Sequence, residues 1–129
     1  MVCLDTDVMI DYIHQEPYAV AFVQDAIARK TRLTTTVMSV CELYKGADQS
    51  TLAGRNKVGR LLEFLEILEL DMRGCSIFRE YYHQLGSKGQ LIGEFDILIA
   101  CIAMAHGESL ATGNSKHFSK VPGLRLEKF

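Results

Sequence analysis

Residues 97–105 form an unbroken apolar run, Ile-Leu-Ile-Ala-Cys-Ile-Ala-Met-Ala, entered through Phe95 and Asp96. A helix that is apolar all round has no face to offer water, so it must be buried inside a layered fold. The run is also far shorter than the roughly 20 residues a membrane span needs. Its first turn carries the chemistry, because Asp96 opens a helix that is otherwise wholly apolar. A carboxylate taken out of water without a partner costs several kcal/mol, so Asp96 calls for one. The ordinary account is that it only favours the helix N-terminus, worth about 0.3–1 kcal/mol.

The rest of the chain alternates short strand signals with helical ones. Val2-Cys3-Leu4 is a brief apolar run ending in Asp5-Thr6-Asp7, a helix-start cluster. A short helix is expected through Ile13, with a break near Pro17. Apolar residues at 19, 22, 23, 26 and 27 give residues 18–30 the spacing of an amphipathic helix. Leu33-Thr34-Thr35-Thr36 reads as a second strand, and residues 37–47 as a helix. Over residues 52–68 a longer helical pattern places Val58, Leu61, Leu62, Leu65 and Leu68 along one side. Phe64 and Ile67 widen that side, for burial or as the face of a homodimer. Glu69-Leu70 is a candidate start for a third strand, and residues 75–85 suggest a helix ended by Gly86-Ser87-Lys88-Gly89. Ser109-Leu110-Ala111-Thr112 is a further strand candidate, and Leu124 to Leu126 a last one after the Val121-Pro122-Gly123 turn. Such alternation implies an α/β fold, a parallel sheet between two helical layers.

With 129 residues, two prolines and no low-complexity stretch, the chain reads as a single domain over residues 1–129. The start lacks a basic segment and a long apolar run, so no signal peptide is expected. Cys3, Cys41, Cys75 and Cys101 are far apart and form no Cys-x-x-Cys pair, which excludes zinc ribbons and redox motifs and suits the cytoplasm. Cys3, Cys41 and Cys101 have apolar neighbours and are expected in the core. A net charge of −2 is unusual for a nucleic-acid binder, but it is compatible with acids gathered at one site and bases around it.

In open α/β sheets, ligands collect at the carboxyl ends of the strands. Asp5 sits where the first strand should end, and Asn114 two residues beyond the 109–112 strand. Glu42 stands among the apolar residues Cys41, Leu43 and Tyr44, three after Ser39. Each has an ordinary account: a helix cap for Asp5, a capping box with Ser39 for Glu42, a turn residue for Asn114. Together, Asp5, Glu42, Asp96 and Asn114 describe an all-oxygen site for a hard divalent ion. His14, His83, His106 and His117 form no His-x-x-x-His pair, so zinc is not indicated.

These residues also resemble a known family. Leu4-Asp5-Thr6-Asp7, Ser39 with Glu42-Leu43, residues 92–100 (Ile-Gly-Glu-Phe-Asp-Ile-Leu-Ile-Ala), Thr112-Gly113-Asn114, His117-Phe118 and Val121-Pro122-Gly123-Leu124 look like the motifs of PIN domains, in order and nearly end to end. In size and spacing the chain is most similar to VapC-type toxins of prokaryotic toxin–antitoxin pairs. The resemblance implies a three-layer α/β/α fold with a four- or five-stranded parallel sheet. It also implies an Mg²⁺- or Mn²⁺-dependent endoribonuclease leaving 5′-phosphate and 3′-hydroxyl ends, and an antitoxin partner. Asp5, Glu42 and Asp96 would be the principal acids, with Asn114 at the fourth metal position. Position 114 is often Asp in the family and position 7 often Asn, so Asp7 or Glu94 would supply the charge that Asn114 lacks. Thr6, Ser39 and Thr112 are candidates to hold the acids in place. Lys45, Arg55, Lys57, Arg60, Lys88 and Lys116 are candidates for phosphate contacts. Two alternatives stay open at the level of sequence. One is a haloacid-dehalogenase-like phosphatase built on Asp5-Thr6-Asp7; the other is a non-catalytic PIN scaffold that binds RNA or protein.

Overall fold

The computed structural model describes residues 1–46, 49–87, 89 and 92–129. Along the chain the elements are β1 (Val2–Leu4), α1 (Thr6–Ile13), α2 (Pro17–Ala28), β2 (Leu33–Thr36), α3 (Val37–Gly46), α4 (Leu52–Phe64), β3 (Glu66–Leu68), α5 (Met72–Ser87), α6 (Glu94–Ala105), β4 (Ser109–Ala111) and α7 (Ser115–Phe118). Among the described residues the strands form one parallel sheet of four, in the order β3-β2-β1-β4. Ala47 and Lys88, named above for a helix and a phosphate contact, lie outside the described residues.

Side chains alternate across a strand, and β1 shows why its sequence is apolar without a break. Val2 and Leu4 enter a core with Val8, Met9, Val23, Leu43 and Leu61. Cys3 points the other way, into a core with Ile97, Ile99, Leu110 and Phe118. Helices therefore cover both faces, making the three layers expected from the alternation of elements. Helix α6 is buried as its composition requires, although Phe95 at its start is 44% exposed.

Strand β2 carries three threonines into this interior, and each hydroxyl finds a partner, as buried polar groups must. Thr34 donates to Glu108 Oε1 at 2.6 Å, Thr35 to the Leu4 carbonyl at 2.7 Å, and Thr36 to Ser39 Oγ at 3.2 Å. Thr36 Oγ1 also accepts from the Ser39 amide at 3.0 Å, so Thr36 caps α3 and Ser39 is not its cap.

The structure corrects four expectations. Helix α4 stops at Phe64, and the third strand is Glu66–Leu68 rather than one starting at Glu69. The spacing of Leu61, Leu65 and Leu68 suits a continued helix equally well. What decides is pairing of Glu66, Ile67 and Leu68 with Thr34, Thr35 and Thr36, reinforced by a 2.9 Å ion pair between Arg32 and Glu66. Leu126 makes only an isolated bridge to Leu110, so no fifth strand forms among the described residues. Cys41 is exposed, because α3 buries Ser39 and Leu43 and position 41 lies on the opposite side. Helix α5 starts at Met72, three residues early, where Asp71 Oδ1 accepts from the Gly74 amide at 2.9 Å.

Candidate active site

Parallel pairing brings the carboxyl ends of β1, β2 and β4 to one edge of the sheet. The chain order reverses between β1 and β4, the place where open α/β sheets bind ligands. Asp5 leaves β1 there and caps α1, with its own amide bonded to the Ala111 carbonyl of β4 at 2.9 Å. Its Oδ1 accepts from the Thr6 amide at 2.8 Å, and its Oδ2 from the Thr112 hydroxyl at 2.8 Å. Asp5 is thus both the helix cap and a buried acid, only 6% exposed.

Burial pushes the Asp5 carboxyl up to about 7 from an ordinary 3.8. The charge of Asp7 adds to this, the bonds from Thr112 and Thr6 oppose it, and Asp96 adds a smaller push. Asp7 is likewise raised, first by burial, with Asp11 and Asp96 contributing repulsion. Its Oδ1 accepts from the Val8 amide at 2.8 Å and its Oδ2 from the Gly113 amide at 2.9 Å. Three aspartates therefore crowd one end of the sheet, Asp7 and Asp96 disfavouring the charge of Asp5, and Asp96 also that of Asp7.

Glu42 joins through Thr6, whose hydroxyl donates to Glu42 Oε1 at 2.7 Å. Asp96, in the first turn of α6, has its Oδ2 3.1 Å from His117 Nε2. The partner that Asp96 called for is this histidine. Ser39 is buried and pairs with Thr36 at the base of α3, so it steadies the helix that carries Glu42 without bonding an acid. Asn114 is exposed at the start of α7, its amide bonded to Thr112 Oγ1 at 3.0 Å. Glu94 is exposed at the first position of α6.

Reasoning from residue types missed His117 as a partner and Gly113 as an amide donor. Both lie in the stretch that follows β4, and the signal available was their closeness in sequence to Asn114. Gly113 has a steric reason to be glycine: a Cβ added there would stand 2.8 Å from Asp7 Oδ2. Gly113→Ala is therefore expected to push the Asp7 carboxylate off the Gly113 amide, costing about 0.5–1.5 kcal/mol, the worth of one hydrogen bond. Thermal unfolding would register this as a lowered melting temperature, and an unchanged value would show that the loop yields freely.

Among the described residues, no three His, Cys, Asp or Glu side chains converge into a ready-made cage for an ion. Magnesium does not need one, since it keeps several waters and takes one or two carboxylates directly. The donors at this edge are oxygen atoms of mutually repelling carboxylates, a set that fits a hard divalent cation.

A family model for the PIN domain matches residues 2–124. This chain belongs to the PIN-domain family. The PIN domain here is similar to the Haemophilus influenzae protein named Ribonuclease VapC2, with 32% identity over 98% of this chain and 96% of that protein. It is also similar to Ribonuclease VapC2 of Rickettsia felis, at 29% identity over 98% of this chain and 96% of the other. Among solved structures, a chain of the Rickettsia felis VapBC2 complex bound to a promoter DNA fragment superposes with a TM-score of 0.88 and 26% identity, covering 100% of this chain and 99% of that one. Membership of this family removes the phosphatase alternative opened by Asp5-Thr6-Asp7.

Proposed function

We propose that this PIN domain is a divalent-metal-dependent endoribonuclease, the toxin of a VapBC-type pair. The observation that carries the proposal is the gathering of Asp5, Asp7, Asp96 and Glu42 at the switch point of the sheet, in a chain similar over 98% of its length to a VapC ribonuclease. In this reading Asp5 and Asp96 hold Mg²⁺ or Mn²⁺, directly or through water. Asp7 supplies the negative charge that Asn114 does not, and Asn114 can offer an amide oxygen. A bound divalent ion supplies charge stabilisation at the scissile phosphate and a more acidic attacking water.

The chain's own residues divide the remaining work. Glu42 keeps Oε1 on Thr6, which leaves Oε2 to orient the attacking water and take its proton. Water adds to phosphorus as the bond to the 3′ oxygen breaks, and that oxygen takes up a proton from solvent, giving a 5′-phosphate and a 3′-hydroxyl. Thr112 and Thr6 hold Asp5 so that its carboxylate does not swing away when RNA arrives. Lys45, Arg55, Lys57, Arg60 and Lys116 are all exposed and able to meet phosphates.

The solved relative is a toxin–antitoxin complex, and an antitoxin partner follows for this chain by that similarity. Homodimerisation belongs to the same proposal, with exposed Phe64 on α4 as an apolar contact. We place the protein in the cytoplasm, which suits its free cysteines; no helix among the described residues is long and apolar enough to cross a membrane. The test is incubation of a mixed labelled RNA pool with Mg²⁺, Mn²⁺ or EDTA. Cutting is expected with either ion and should cease in EDTA. A folded protein that cuts no RNA under any metal would favour a binding-only scaffold.

A further inference from the structure

We propose that His117 is a positioning residue, whose imidazole fixes one oxygen of Asp96 so that the other faces the cation and the substrate. The inference rests on the reading of Asp96 as a cation holder. It comes from a pattern in the stretch after β4, which reaches all three aspartates at one oxygen each. Thr112 Oγ1 donates to Asp5 Oδ2 at 2.8 Å, the Gly113 amide to Asp7 Oδ2 at 2.9 Å, and His117 Nε2 lies 3.1 Å from Asp96 Oδ2.

The three acids differ in what else holds them. Asp5 and Asp7 each take a second bond from the amide that follows them, Thr6 and Val8, both at 2.8 Å. Among the described residues Asp96 has His117 alone. Without it the Asp96 carboxylate is free to turn about its last torsion, which is broad and two-fold for this side chain. With Nε2–H donating to Oδ2, that torsion is set and Oδ1 is left open.

The imidazole is itself well placed to do this. His117 sits in α7 beside Phe118, which is 1% exposed and anchors the segment in the core. The two rings meet edge to face, 6.0 Å apart at 88°. The side chains of His117 and Asp96 are 30% and 27% exposed, so the pair stands at the rim of the site, open on one side to an incoming ion. Outer partners that orient metal-holding side chains in this way typically contribute about 10–100-fold to affinity or activity.

The test compares wild type, His117→Ala and His117→Gln. Mn²⁺ binding is measured by calorimetry on the RNA-free protein, alongside kcat and KM on RNA. His117→Ala is expected to weaken Mn²⁺ binding roughly tenfold and to lower kcat more than KM changes. His117→Gln keeps an N–H donor and should recover much of both. In an Asp96→Asn background, His117→Ala should add no further loss of Mn²⁺ affinity, because the residue acts through Asp96. Mn²⁺ affinity within twofold of wild type in His117→Ala would overturn the inference, as would an equal loss in the Asp96→Asn background. A wild-type protein that binds no Mn²⁺ would overturn it together with the metal site. Mn²⁺ binding without any RNA cleavage would sink the ribonuclease reading and leave His117 to be judged on affinity alone.

Discussion

Asp96→Asn is expected to abolish RNA cleavage and leave the fold standing. The substitution is nearly isosteric, and the amide oxygen still accepts from His117 Nε2, so the local geometry survives. What disappears is one negative charge at the place where a cation must bind. Loss of an outer partner alone costs about 10–100-fold, and loss of a carboxylate that holds the ion should exceed that range. The structural cost is small by comparison. Asp96 is in the first turn of α6, so its charge contributes about 0.3–1 kcal/mol to the helix. Cleavage assays under saturating Mn²⁺, paired with thermal unfolding, separate the two. Full activity in Asp96→Asn would remove Asp96 from the site.

Asp5→Asn is expected to act in two directions, ending catalysis while stabilising the metal-free protein near pH 8. Asp5 titrates at about 7 in the folded chain against an ordinary 3.8. The folded value is the higher one, so the protonated carboxyl favours folding. That contribution is fully present below about pH 3.8 and is lost as pH rises through about 7. At about 1.4 kcal/mol per unit the loss is at most about 4–5 kcal/mol. An asparagine at position 5 cannot ionise, so its stability should stay flat across this window apart from other groups. It gives back part of the gain because the Thr112 hydroxyl loses a charged acceptor. Melting curves in EDTA from pH 4.5 to 8 should therefore cross, with the variant higher at the alkaline end. Adding Mn²⁺ should raise the wild type and leave Asp5→Asn nearly unmoved. A wild type that melts highest near pH 8 in EDTA, above the variant, would contradict the burial argument.

Asp96 and Asp5 are both legible in the amino-acid sequence alone. Asp96 stood out because an ionised group at the head of an apolar helix is costly, and that cost is visible in residue order. Asp5 stood out because a short apolar strand ended on it. The arrangement of the acids was less legible. Nothing local ties Glu42 to Thr6, which are 36 residues apart, or Thr112 to Asp5, which are 107 apart. His117 was visible as part of the His117-Phe118 motif, but its relation to Asp96 depends on α7 coming to lie beside the first turn of α6.

The same divide runs through the fold. Apolar spacing and strand–helix alternation by themselves determined the α/β class, the buried helix α6 and the end of the sheet at which the acids meet. These depend on burial, which residue type and periodicity report directly. Tertiary structure alone decided that residues 66–68 pair as a strand, that Cys41 faces solvent, and which donor holds each carboxylate. Leucines at helical spacing bury equally well in a helix or along an edge strand, so hydrogen bonding to β2 had to settle the choice. Likewise an aspartate's charge is written in the sequence, but its environment is set by side chains arriving from distant segments. The chain spells out the acids, and only packing brings them within reach of one another.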